Sequence, residues 1–213
     1  MDNGFGRLGP GTRARARFAA VTCAVLLAAC GSTPVARYYT LSAVRDTVPA
    51  GSAIVLRDKI VGVGPVVLPE YLDRPQIVLR ASSNRLELAD GHRWAEPLAD
   101  NFTSALRENL SLLLGTERVS SRAWAASGRG DYQVMVQVLR FEGAAVGAVS
   151  LTARWSILAR DGTVLLAARR SSFQATPSGP DIEALVAAQS DAVAQLSREI
   201  AAALISRQRE RQE

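Results

Sequence analysis

Val149-Ser-Leu-Thr-Ala-Arg-Trp-Ser-Ile157 is the stretch that decides the fold. Apolar side chains occupy every second position from Val149 to Ile157, and polar or charged side chains occupy the positions between them. Because successive side chains of a strand point to opposite faces, this alternation predicts a half-buried β-strand. We expect the face that carries Trp155 to be the buried one.

The runs on either side of this strand predict an antiparallel meander. Residues 132–140, which are rich in Val, favour a preceding strand, and residues 163–173 favour a following one. Between the last two strands lies Asp161-Gly162, a dipeptide typical of a two-residue hairpin loop. The C-terminal half of the chain is therefore expected to be built around three consecutive strands.

Two amphipathic helices flank this meander in the sequence. The first is predicted to begin at Glu96-Pro97 and to end at Gly115, since proline is tolerated in a first turn and glycine favours a helix end. Asp181 is expected to cap the second, which gives way to a frayed polar tail. Apolar residues recur at helical spacing in both: Leu98, Phe102, Leu106, Leu110 and Leu113, then Leu185, Val193, Leu196, Ile200 and Leu204. The prediction is an α+β fold, a single domain with a mostly antiparallel sheet packed by two long amphipathic helices.

The N-terminal half predicts further short strands. Residues 37–42 favour a first strand, and residues 53–63 a second, with a bulge at 57–59 that would bring its two apolar halves into phase. Residues 76–80 and 85–88 favour a pair of strands joined by a turn at Ser82-Ser83-Asn84.

A proline-rich stretch, residues 64–75, separates these strands. Its three prolines exclude a regular helix and favour extended or turn geometry. A stiff loop that holds Tyr and Arg suits a protein interface, where these residue types dominate binding energy. The candidate interface residues are Tyr71, Leu72, Arg74 and, before the first helix, Trp94. In the alternative interpretation Tyr71, Leu72 and Trp94 cover the sheet edge, and Arg74 pairs with Asp73.

The N-terminus has the features of an export signal. Four arginines precede an apolar run from Phe18 to Ala29, which is too short for a permanent membrane span. The run ends in Leu27-Ala28-Ala29-Cys30, which looks like a bacterial lipobox, in which the cysteine is acylated and becomes the first residue. The alternative is an ordinary signal peptide with an incidental cysteine.

These features predict four segments. Residues 1–29 form a lipoprotein signal peptide, residues 30–36 a lipidated tether, residues 37–207 the folded domain and residues 208–213 a polar tail. Two acyl chains on Cys30 would give stable anchoring, and Gly31 after the cysteine favours the outer membrane. Removal of the signal takes away four arginines and one aspartate, which leaves 21 basic and 19 acidic residues. Because the mature chain has no dense run of basic residues, we do not expect it to bind nucleic acid.

The inventory of reactive side chains argues against an enzyme. After lipidation the mature chain has no free thiol, and His92 is its one histidine, so cysteine nucleophiles and histidine-pair metal sites are excluded. We expect no cofactor and no metal site, and a structural or surface role for His92. No nucleotide-binding loop of the Walker A type occurs. A binding or assembly protein is therefore expected, and an envelope hydrolase is disfavoured.

Three motifs together carry a family resemblance. They are Arg37-Tyr-Tyr-Thr-Leu-Ser42, the run Val63-Gly-Pro-Val-Val-Leu-Pro-Glu-Tyr-Leu-Asp-Arg-Pro-Gln-Ile-Val78, and the stretch from Asn84 through His92-Arg-Trp-Ala-Glu-Pro-Leu98. With the lipobox, they make the chain resemble the ABC-type transport auxiliary lipoproteins, the PqiC-like family. The likeness covers essentially the whole mature chain.

The resemblance implies a role in lipid transport across the Gram-negative envelope. The expected partners are a membrane-anchored MCE-domain protein and its associated ABC permease and ATPase, with presumed phospholipid cargo and no enzymatic activity. The protein would sit at the inner leaflet of the outer membrane, facing the periplasm, and it could form a homo-oligomeric collar. The alternative function is an envelope assembly factor or chaperone through which no lipid passes.

Overall fold

The computed structural model of the protein describes residues 35–43, 56–121, 130–144 and 147–212. The described residues from Ala36 onward form one compact unit. Its elements along the chain are β1 (Arg37–Tyr39), β2 (Val61–Val67), a 3-10 turn (Glu70–Leu72), β3 (Gln76–Ser82), β4 (Arg85–Trp94), α1 (Leu98–Leu114), β5 (Val119–Ser120), β6 (Tyr132–Ala144), β7 (Val149–Ala159), β8 (Val164–Ala175) and α2 (Ile182–Glu210).

The eight strands of the described residues belong to one sheet, and β6 is its central member. Along one edge β6 pairs with β7 in an antiparallel ladder over nearly its whole length. Along the other edge it pairs in parallel with β2 near its start and with β3 at its end. Strands β4 and β1 continue the sheet beyond β3, and β5 extends it beyond β2. The two longest ladders, β6 with β7 and β7 with β8, are antiparallel, as is the pairing of β3 with β4, so the predicted α+β class with a mostly antiparallel sheet is confirmed.

The meander of β6, β7 and β8 forms as predicted. The five alternating apolar residues of β7 are all buried, and Trp155 is 1% exposed. The hairpin loop differs from the prediction because it has three residues, Arg160 to Gly162. The Ala159 carbonyl accepts from Gly162 N at 2.9 Å, and Ala159 N donates to Thr163 O at 2.7 Å. Gly162 has φ +84°, the left-handed position that such three-residue loops require.

Both helices pack on one face of the sheet. Helix α1 contacts β2 and β5, α2 contacts β6, β7 and β8, and the helices contact each other. The predicted α1 stripe is buried except for Leu113, which is half-buried while Leu114 takes the core position. All five predicted apolar residues of α2 are buried. Gly115 ends α1 at φ 61°, and the Asp181 carboxylate caps α2 by accepting from Ala184 N at 2.7 Å.

The end of the chain is more ordered than predicted. Helix α2 continues through Glu210, whereas the sequence predicted a frayed tail from Arg207 and a domain boundary after it. Gln208 is 6% exposed and accepts a hydrogen bond from the Tyr132 hydroxyl at the start of β6. Arg207 pairs with Glu210 at 2.8 Å. The hydrogen bond between Gln208 and Tyr132 thus holds the last turn of α2 on the sheet, where the helix has no apolar residue to pack.

The second strand also differs from the prediction. Residues 56–58 form a turn, in which Lys59 N donates to Leu56 O at 3.0 Å, and β2 begins only at Val61. The polar residues that were expected to form a bulge therefore lie at this turn. Strand β2 extends further along the chain than predicted, through Pro65 to Val67. Residues 53–55 of the predicted strand lie outside the described residues.

The segment after β1 joins the N-terminus of the domain to both helices. Leu41 N donates to the side-chain oxygen of Asn101 on α1 at 3.0 Å, and Ser42 N donates to Ser190 Oγ on α2 at 3.1 Å. Neither α1 nor α2 combines the length and the apolar character that crossing a membrane would need. The predicted signal peptide, Cys30 and residues 31–34 of the tether lie outside the described residues.

Candidate docking segment

Residues 69–75, the docking segment, form a short turn between two prolines. Pro69 is extended at φ −60°, and one turn of 3-10 helix follows it. Leu72 N donates to Pro69 O at 2.9 Å, and Asp73 N donates to Glu70 O at 3.0 Å. At the other end, the Pro75 carbonyl accepts from Trp94 N at 2.7 Å, which fastens the segment to β4. Its backbone is thus fixed at both ends.

A buried carboxylate on β6 holds the docking segment from below. The Glu142 side chain is fully buried, and its Oε2 accepts from the Tyr71 hydroxyl at 2.9 Å and from Phe141 N at 3.1 Å. Arg80 on β3 donates to Oε1 through Nε at 2.6 Å, and Arg140 Nε lies 3.2 Å from the same oxygen. Both oxygens are therefore satisfied, and two guanidinium groups compensate the buried charge. The network ties the segment to the junction of β3 and β6.

The same network perturbs the titration of Tyr71. Burial raises its pKa to about 12, and the hydrogen bond to Glu142 and the charge of Glu142 act in the same direction, against a smaller opposing effect of Arg80. A tyrosine whose folded pKa lies above its unfolded value stabilises the fold fully below the unfolded pKa. That stabilisation is lost as the pH rises from about 10 to about 12.

This shift predicts the pH dependence of a Tyr71→Phe variant. At pH 8 the variant should be less stable, by about 1 kcal/mol, because it lacks the hydrogen bond to Glu142. The difference from the unmodified protein should shrink between pH 10 and 12, where only the unmodified protein loses the Tyr71 contribution. Urea unfolding at a series of pH values measures it. Tyr38→Phe, at a side chain 64% exposed, is the matched control and should leave the profile unchanged.

The structure separates the four predicted interface residues. Leu72 is 2% exposed and Trp94 is 4% exposed, and both belong to the hydrophobic core. The expectation that these two side chains offer binding surface is therefore corrected, because both are packed in the core. Tyr71 is half-buried on Glu142, and Arg74 is exposed. Among the described residues no ion pair joins Arg74 to Asp73, so the guanidinium of Arg74 faces solvent.

His92 has the structural role that the sequence favoured. Its Nδ1 lies 2.7 Å from the Tyr39 hydroxyl, and the two rings stack with centroids 5.5 Å apart. The contact joins β4 to β1, whose Arg37 is paired with His92 in the parallel ladder. Over the described ranges, no group of three or more His, Cys, Asp or Glu side chains is placed to hold a metal ion.

Glu142 is a residue of this site that the sequence did not predict. The signal that could have found it is a charged residue inside the apolar β6 pattern, directly after Phe141. A charge in such a position is stable only with partners, and arginines are present on the same strand and on β3. The pattern did not indicate which of them reach it.

The sequence matches one protein family over residues 39–201, and that family is described as the ABC-type transport auxiliary lipoprotein component. The chain belongs to this family. A relative of this auxiliary lipoprotein in Escherichia coli strain K12, named intermembrane transport lipoprotein PqiC, is 27% identical over 184 residues. That match covers 84% of this chain and 95% of the relative, and the protein of the same name in Shigella flexneri matches equally.

Solved structures share the fold of the auxiliary lipoprotein. The structure of XCC0632 from Xanthomonas campestris superposes with a TM-score of 0.69 at 21% identity, and it covers 84% of this chain and 100% of its own. An uncharacterised protein superposes with a TM-score of 0.65 at 23% identity, over 80% of this chain and 99% of its own. At these identities the likeness concerns the fold alone.

Proposed function

We propose that the protein is a lipid-anchored periplasmic accessory component of an MCE/ABC-type lipid transport system in the Gram-negative envelope, where it acts as a docking or assembly module. The family match over residues 39–201 carries this proposal. The name of the PqiC relatives, intermembrane transport lipoprotein, supports transport between membranes. The absence of a histidine pair and of a free thiol in the mature chain agrees with a non-enzymatic role.

The proposed anchor is diacylglycerol on Cys30, with residues 30–36 as the tether. Two buried acyl chains supply the free energy of a stable membrane attachment, which one chain would not. Gly31 after the cysteine supports the inner leaflet of the outer membrane as the site of attachment. The folded domain would then face the periplasm.

The proposed partner is an MCE-domain protein that works with an ABC permease and ATPase. We assign its docking to the exposed side of residues 69–75. A backbone fixed at both ends loses little conformational entropy on binding, and arginine is among the residue types that dominate interface energies. Arg74 is the free cation of the segment, with Glu70 and Asp73 as its exposed neighbours. A collar of several copies around the partner's conduit is part of this proposal.

A charge reversal at Arg74 tests the docking. Arg74→Glu should lower recovery of the MCE-domain partner in co-purification at least tenfold, because a central arginine in an interface typically contributes about 2 kcal/mol or more. The melting temperature should stay within a few degrees, since the side chain is exposed and makes no ion pair with Asp73. Tyr71 is left in place because it supports Glu142.

Arg160→Glu is the matched control, because this exposed arginine lies in the hairpin loop at the opposite end of β6. It makes the same change in net charge and should leave partner recovery unchanged. Equal losses in both variants would indicate a general electrostatic effect and would refute docking through residues 69–75. Full recovery with Arg74→Glu in a folded protein would also refute it.

A further inference from the structure

The face of the sheet that the helices leave uncovered carries an apolar groove. The groove has a volume of about 270 Å³, and its apolar lining includes Pro65, Val67, Met135 and Ala168. Val67 is 51% exposed and Met135 is 37% exposed, so both present side-chain surface to solvent. The groove crosses β2, β6, β7 and β8.

Next to this groove two arginines face each other across neighbouring strands. Arg154 on β7 pairs directly with Arg170 on β8, and both side chains are exposed. Directly opposite residues have Cβ atoms about 5 Å apart, and like charges in this arrangement destabilise a sheet. In the part of the chain that the structure describes, neither arginine has an ion pair. An anion between the two guanidinium groups would relieve the repulsion.

Hydroxyl groups continue the polar region along the strands. Thr152 Oγ1 and Ser172 Oγ lie 3.1 Å apart, one step along the same pair of strands from Arg154 and Arg170. Arg140 stands opposite Thr152 on β6, although it already pairs with Glu142. The row of Gln137, Arg154 and Arg170 therefore lies between the two hydroxyl groups and the apolar part of the groove, and Gln137 and Arg154 line the edge of the groove.

The geometry points to a binding site on this face for a phospholipid with an anionic headgroup. Arg154 and Arg170 would hold the phosphate, because guanidinium groups bind phosphate oxygens in bidentate geometry, and the two hydroxyls lie within the same region. One acyl chain would lie along Met135 and Val67. A shallow groove below the usual size of a small-molecule pocket suits a segment of chain better than a whole compact ligand.

The charged and apolar parts of this face lie side by side, and this arrangement favours a lipid over a protein segment. A lipid carries its charge at one end and its apolar chain at the other, as this face does along the strands. An acidic protein segment would instead be expected to meet charge at the rim around a central apolar patch. This site adds direct lipid contact to the proposed docking role and does not depend on it, since none of its binding residues belongs to residues 69–75.

Titration of the mature full-length protein with dihexanoyl phosphatidylglycerol, below its micelle concentration and followed by native mass spectrometry, tests the site. We expect saturable binding of one lipid. Arg154→Gln with Arg170→Gln should weaken it at least tenfold, and Met135→Gln should weaken it severalfold through the apolar part of the site. The matched control, Arg93→Gln with Arg107→Gln, removes two exposed arginines away from the groove and should leave the affinity unchanged.

Three results would overturn the inference. Equal binding of dihexanoyl phosphatidylcholine would show that the headgroup charge is not recognised. Equal competition by inorganic phosphate would show an anion site without an acyl subsite. Absence of lipid binding, together with loss of a protein partner in the Arg154 and Arg170 double variant, would assign the face to a protein. Failure of the Arg74→Glu docking test would leave this lipid titration unaffected, so the two proposals are tested separately.

Discussion

Trp155→Ala is expected to destabilise the domain by about 3–5 kcal/mol, the range for removing a fully buried large aromatic side chain. Trp155 is 1% exposed at the centre of β7, the strand on which the meander is built. Its indole Nε1 also donates to Ser171 Oγ at 3.0 Å, and Ser171 is 8% exposed, so the substitution leaves a buried hydroxyl without its partner. For a domain of this size the melting temperature should fall by roughly 6–20 °C.

The neighbouring position supplies the control. Arg154→Ala changes a side chain of the same strand that points to the uncovered face, and it should change the free energy of unfolding by less than about 0.5 kcal/mol. Removing one member of the Arg154 and Arg170 pair could even stabilise the domain slightly, because like charges are opposed there. Urea unfolding of both variants gives the comparison. A loss below about 1 kcal/mol for Trp155→Ala would contradict its placement in the core.

Cys30→Ser is expected to abolish lipidation completely while the domain stays folded. The predicted lipobox ends at Cys30, and no other cysteine follows it in the sequence, so the expected mature chain has no second thiol to accept a lipid. Cells fed radiolabelled palmitate should label the unmodified protein and leave Cys30→Ser unlabelled. The melting temperature of the two folded domains should be the same, because Cys30 precedes the first strand, which begins at Arg37.

The chain contains its own control for this experiment. Cys23 is its one other cysteine and lies in the apolar run of the predicted signal peptide, which cleavage would remove. Cys23→Ser should therefore be exported and labelled like the unmodified protein. Label in Cys30→Ser would refute the lipoprotein assignment of Cys30, and loss of label in both variants would indicate a general defect in export.

The sequence predicted the elements whose signal is local. The alternation of β7 gave the correct buried face, and the apolar repeats gave both helices, because periodicity follows directly from strand and helix geometry. The parallel contacts of β6 with β2 and β3 had no such signal. They join residues far apart in the chain, and no pattern within either strand specifies the partner.

The errors share a physical cause. The last turns of α2 are held by Gln208, a polar residue that adds nothing to an apolar repeat. For the docking segment the sequence indicated that the backbone is stiff, but it did not indicate which side chains are exposed. Exposure depends on the tertiary packing, which buries Leu72 and Trp94. Glu142 was missed because a buried charge is compensated by side chains that only the fold brings together. Polar interactions at a distance were thus the least predictable part of the site.

The central position of β6 constrains the order in which the chain can acquire its structure during the proposed export. Ile60, just before β2, bonds to the Asp131 side chain 71 residues further along, and β2 and β3 both need β6 as a neighbour. A polypeptide that crosses the inner membrane from its N-terminus therefore delivers β1 to β4 before their central neighbour has arrived. Contacts of such long sequence separation form slowly. In the export that we propose, the N-terminal half would therefore reach the periplasm before β2 and β3 can pair with β6, and we expect it to depend on holding chaperones there until residues 132–144 emerge.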